Sequence, residues 1–150
     1  MSMRNLSNQL KSKLQSIEDI ESVYDYPWLD FDGYPAATIT PSGLDSDYES
    51  TVENLRTYIF VVRLFVNLNN VNQPTEQKKV EDGFRIAEEL VDTVIDTFDQ
   101  DETLAGISLP SGYTMVAITP TPSVINYFVE DKMIVAEVKI NVKVSFDTSA

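Results

Sequence analysis

The 150 residues carry 24 Asp and Glu against 11 Lys and Arg, for a formal net charge of −13, with 43% hydrophobic residues and neither cysteine nor histidine. A chain of that length makes one domain able to bury about 70% of its unfolded surface. The two missing residue types exclude disulfides, Ser–His–Asp and Cys–His chemistry, and histidine-ligated zinc or iron, and the acid excess opposes binding to the phosphates of nucleic acid.

Leu6, Leu10, Leu14 and Ile17 recur at spacings of four, four and three. This predicts a short amphipathic helix near the N-terminus, capped by Ser2 or Asn5 and carrying Arg4, Lys11 and Lys13 on its other side. The start, MSMRNLSNQLKSK, lacks the apolar core of a secretion signal, so synthesis in the cytosol is expected. Glu21 to Tyr26 reads as a short strand ending at Pro27, which cannot donate to a ladder. Pro27 to Pro35 reads as a loop turning at Gly33, with Tyr24 or Tyr26 and Phe31 packing inward.

Ala36 to Thr40 reads as a second strand, stopped by Pro41-Ser-Gly. Ser42 to Ser50 is polar and acidic and reads as an exposed loop. From Glu18 to Glu53 there are ten carboxylates and no Lys or Arg.

Leu55 to Leu68 is the clearest strand. Tyr58, Phe60, Val62, Leu64, Val66 and Leu68 share one face at period two. The other face includes Ile59, Val61 and Phe65, so a strand covered on both sides is expected. Its longest apolar run, Tyr58 to Val62, is far too short to span a bilayer.

From Thr75 to Phe98 the period turns helical: Val80, Phe84, Ala87, Val91, Val94 and Phe98 make the apolar stripe. Glu81, Glu88, Glu89, Asp92, Asp96 and Asp99 make the opposite face strongly acidic. After a connector, Tyr113 to Thr119 reads as a strand ended by Pro120-Thr-Pro122. Val124–Glu130 and Met133–Phe146 read as a hairpin about Glu130-Asp131-Lys132. The predicted class is α+β: a mostly antiparallel sheet with the N-terminal helix and one long helix packed on one face. Strands of about fourteen residues exceed the usual five or six, and their ends leave edges that a monomer must protect or an oligomer can pair.

No chemical motif survives close reading. Asp30-Phe-Asp32-Gly33 is reminiscent of a calcium loop. Aligned on the glycine, however, Trp28 stands at the first ligand position and Ile39 where a bidentate glutamate belongs. Asp25, Asp30 and Asp32 near Tyr26 and Trp28 would be the carboxylates of a glycosidase-like or carbohydrate-binding alternative, without a cleft-forming architecture to support it. Five glycines in total form no phosphate loop. The reading is a protein that is not an enzyme and holds no cofactor or metal.

The order and texture of the whole chain resemble tail terminator, or tail completion, proteins of tailed bacteriophages. The resemblance rests on the N-terminal helix followed by ESVYDY, on GYPAATITPSG and the strand RTYIFVVRLFV. It continues through the helix VEDGFRIAEELVDTVIDTFDQD, then GYTMVAITPTPS and MIVAEVKINVKVSFD. Related tail-tube proteins and head–tail joining adaptors share small α+β folds. The resemblance implies a structural virion protein at the head–tail junction. There it forms a hexameric ring that caps the tail tube, ends its polymerisation and docks the head connector. DNA passes through the ring without specific binding, and no membrane is involved. On this reading the Pro27–Pro35 and Ser42–Glu53 segments contact neighbouring subunits or the tube. Trp28, Phe31, Tyr34, Tyr48 and Leu55 are the candidate interface residues. Acidic residues of the long helix or of the Asp45–Glu53 segment line the lumen, with Asp45, Asp47, Glu49 and Glu53 as candidates.

Overall fold

The computed structural model describes residues 3–27, 30–48, 53–99, 109 and 111–147. Helix α1 (Met3–Gln15) is followed by strands β1 (Ser22–Tyr24), β2 (Ala36–Tyr48) and β3 (Glu53–Asn67). After a 3-10 turn at Leu68–Asn70 comes helix α2 (Glu76–Asp99), then β4 (Tyr113–Phe128) and β5 (Met133–Asp147). The five strands form one sheet in the order β1-β2-β3-β5-β4. Only the short β1 runs parallel to its neighbour; the β2–β3, β3–β5 and β5–β4 pairs are antiparallel. The predicted class and the packing of both helices against one face are thus what the fold has.

Helix α1 forms where the leucine spacing places it. Leu6, Leu10 and Leu14 are fully buried against β1 and β2, and Ile17 follows just past the helix end. Each buried leucine removes enough apolar surface from water to contribute about 1.5–3 kcal/mol. Asn5 lies inside the helix rather than at its cap, and Ser2 is outside the described residues. Arg4 reaches Asp25 at 2.8 Å, tying the helix to the segment after β1.

Helix α2 begins at a proper cap: the Thr75 hydroxyl accepts the Lys78 amide at 3.2 Å. Its buried stripe is Gly83, Ala87, Leu90, Val91, Val94 and Phe98, close to the predicted one, and it lies across β3, β4 and β5. Gly83 is the point of closest approach. A Cβ built there would stand 2.5 Å from Leu68 Cδ2 and 2.9 Å from Ile134 Cδ1, and both of those side chains are fully buried. One continuous core joins all of these elements, from Leu6 and Val23 through Phe60 and Phe98 to Val144.

Two expectations fail at prolines. Strand β2 does not stop at Pro41 but runs to Tyr48, so the segment expected as an exposed loop is strand up to residue 48. Residues 49–50 lie outside the described residues. Strand β4 likewise passes through Pro120 and Pro122 as a single strand of 16 residues. In both strands register shifts accompany the prolines, between Pro41 and Gly43 and between Pro122 and Ile125. The physical reason is position. β1 pairs only with residues 36–38 of β2, and β4 is the outermost strand of the sheet. Edge stretches and bulges are where a strand accommodates proline, which has no N–H to donate.

Candidate assembly surface

The face of the sheet opposite the helices decides what this molecule can contact. Strict alternation along β5 puts Ile134, Ala136, Val138, Ile140, Val142 and Val144 into the core. The residues between them (Met133, Val135, Glu137, Lys139, Asn141 and Lys143) form the outer face. β3 does the same with Ile59, Val61, Arg63 and Phe65. A cover on both sides of β3 was expected. Its Phe65 end has one and Leu55, on the same face near the other end, is also buried, while Ile59 and Val61 between them stay half-exposed.

The cover at the Phe65 end comes from residues 30–35 of the 27–35 loop. Phe31, 8% exposed, lays its ring 4.8 Å from that of Phe65, 5.6 Å from Tyr24 and 5.6 Å from Tyr34. With Ala36 these residues form a second, smaller core on the outer side of the sheet. Ser22 Oγ donates to the Gly33 carbonyl at 2.7 Å and Glu21 N to the Pro35 carbonyl at 2.8 Å, so the loop is laced to β1 at its far end. The Tyr24 hydroxyl donates to the Asp32 carboxylate at 3.1 Å. Desolvation first, and the adjoining carboxylate second, hold this phenol above the ordinary tyrosine range.

Between the loop and the β4–β5 hairpin lies a groove of about 1010 Å³, floored by Phe31, Phe65, Met133 and Val135 with Phe128 at its side. Arg63 and Glu137, directly opposite each other on β3 and β5, close its polar end through an Nε–Oε1 contact of 3.0 Å. Phe128 is 47% exposed, and Val124 and Val129 beside it are 46% and 66% exposed. The apolar character of this corner was legible in Phe65, on the second face of β3. The contribution of Met133, Val135 and Phe128 was not, because it depends on which strand neighbours which.

Of the predicted interface residues, Phe31 and Tyr34 are brought together; Phe31 is buried as an anchor and Tyr34 is half-buried. Inward packing of Phe31 holds, though against the outer face, and Tyr26 is 47% exposed. Leu55 is far from them along β3 and is buried, 7% exposed, so it cannot offer a free surface in this arrangement. Trp28 and Glu49 lie outside the described residues. For Asp45, Asp47, Tyr48 and Glu53 the backbone is described: Asp45 stands opposite Thr57, Asp47 opposite Leu55 and Tyr48 opposite Asn54, at the far end of the β2–β3 ribbon. Glu53 stands opposite Asp147 on β5. The acidic positions therefore do share one end of the sheet, remote from the aromatic loop.

A further acidic surface is on α2. Glu81, Glu88, Glu89, Asp92, Asp96 and Asp99 are all exposed, as the periodicity predicts. Arg85 bridges Asp82 and Glu89 at 2.7 and 2.8 Å, and the two carboxylates hold its guanidinium more firmly protonated than usual. Beyond Arg85 the helix carries no basic residue. Among the described residues no cluster of three or more acidic side chains is arranged to hold a metal ion, and no helix is long and apolar enough to cross a membrane.

No protein-family model matches the chain, and no curated protein matches it in sequence. Among solved structures, a chain from the virion of a native gene transfer agent particle superposes with a TM-score of 0.60 at 14% identity. The match covers 93% of this chain and 94% of that one. At that identity the likeness is one of fold, and it extends over nearly the full length of both.

Proposed function

We propose that the chain is a structural virion protein of a tailed-phage-like particle, and that within the particle it is the tail terminator. In this role it is a ring, hexameric as in the family it resembles, that caps the tail tube, ends its growth and offers the head connector a docking face. The observation that carries this reading is the end-to-end fold likeness to a chain of a gene transfer agent virion. The chemistry agrees with it: a scaffold without histidine or cysteine, a long sheet with an open outer face, and an anchored aromatic loop beside an apolar groove.

In the ring, the groove and the 27–35 loop meet a neighbouring subunit or the tube. The acidic end of the β2–β3 ribbon, from Asp45 to Glu53, faces the channel. A negative wall repels the DNA backbone, so DNA passes without being held.

Deleting the gene from a particle-producing strain tests the role. The expected result is tails of uncontrolled length that do not join heads. Tails of normal length that fail to join would instead identify a head-side adaptor, and normal joined particles would overturn the reading.

A further inference from the structure

The sheet's outer face carries a basic patch that the acidity of the chain makes conspicuous. Lys139 and Lys143 point outward from β5, the strand second from the edge, and neither has an ion-pair partner among the described residues. By register, Lys139 lies opposite Val61 and Thr121, and Lys143 opposite Thr57 and Ala117. All four neighbours are uncharged, in a chain with 24 acidic residues. Asn141, between the lysines, buries its Oδ1 without a hydrogen-bond partner.

On the opposite side of the same sheet, the last three turns of α2 expose Glu88, Asp92 and Asp96 in one row. That row is unfavourable for the helix itself. Like charges four residues apart repel, and acids near a helix C-terminus oppose the macrodipole. A cation laid along the row relieves both effects.

We infer that the lysine patch on β5 docks the acidic stripe of α2 of a second copy of this chain. The spacings match. Four residues of strand place the two lysines about 13 Å apart, and eight residues of helix place Glu88 and Asp96 about 12 Å apart. Laid along β5, the helix brings Glu88 and Asp96 to the two lysines and Asp92 to the level of Asn141. Because the two surfaces lie on opposite sides of one sheet, each copy uses both at once. The contact is therefore head-to-tail, the kind that closes into a ring when the rotation allows. The inference rests on the reading that copies of the chain assemble together, and it names the surfaces by which they do so.

The experiment uses the purified full-length chain, with native mass spectrometry and sedimentation at low and high salt. The wild type is expected to self-associate, and added salt to weaken the association. Lys139→Glu with Lys143→Glu in one variant, and Glu88→Lys, Asp92→Lys and Asp96→Lys in another, each weaken it by on the order of ten-fold or more. Mixing the two variants restores assembly, because every sheet face then meets a helix of opposite sign. All five reversals in one chain restore it too. A variant that had merely misfolded could not be rescued by mixing.

Association unchanged by either set of reversals, or not restored by mixing, overturns the docking and leaves a ring built through other surfaces. A wild type that stays monomeric at every salt concentration also overturns it. The virion role would then still stand or fall by the tail lengths of the deletion strain.

Discussion

Phe31 belongs to no part of the main core, yet it is nearly as buried as the residues that do. It holds residues 30–35 to the outside of the sheet through rings on three sides. Phe31→Ala is expected to cost about 3 kcal/mol, read as a lower urea midpoint, while far-ultraviolet dichroism keeps its native shape. Thr75→Ala, which removes a side-chain acceptor at the start of α2, is expected to cost about 1 kcal/mol by the same measurement. Lys132 has φ of +50° in the β4–β5 turn, a conformation that disfavours any side chain. Lys132→Gly is therefore expected to raise the melting temperature, by relief on the order of 1 kcal/mol, since the ion pair lost with Glu76 is exposed and long at 3.5 Å.

Among the elements, α2 and β3 were legible because each obeys a single period for its whole length. The burial of Val91, Val94 and Phe98, and of Phe60, Val62 and Leu64, follows the stripes that the sequence predicts. What was not legible depends on neighbours. Pro41, Pro120 and Pro122 read as strand ends along the chain, but each lies on a stretch of strand paired on one side among the described residues, where strands tolerate proline, and the register shifts beside Pro41 and Pro122. The same prolines make these edges poor templates for adding another strand. Assembly through the faces of the sheet is therefore favoured over edge pairing.

The candidate site was half legible for the same reason: the aromatic loop is local in sequence, whereas Met133 and Phe128 reach the groove only through the strand order. Gly83 marks the closest contact between helix and sheet. Gly83→Val, crowding Leu68 and Ile134, is expected to destabilise the fold by about 2–3 kcal/mol in a denaturant titration.

At the scale of the molecule, the features that remain are surfaces. Among the described residues a core-bearing face is covered by two helices, the middle of the outer face around Ile59 and Val61 stays half-exposed, and acidic positions gather on α2 and at the far end of the β2–β3 ribbon. Trp28, three residues before Phe31 in the sequence, is the proposed interface residue that a substitution can test. Trp28→Ala is expected to leave the melting curve close to that of the wild type while abolishing ring assembly or tube binding, as followed by sedimentation with purified tubes.

The central claim, that this chain is a ring-forming cap of a tail tube, is tested most directly by electron microscopy of the purified protein mixed with tail tubes, read beside its native mass. The account predicts closed rings of six copies seated on tube ends, and tubes that no longer lengthen once capped. A protein that stays monomeric in the presence of tubes, leaving their ends bare and growing, would contradict it.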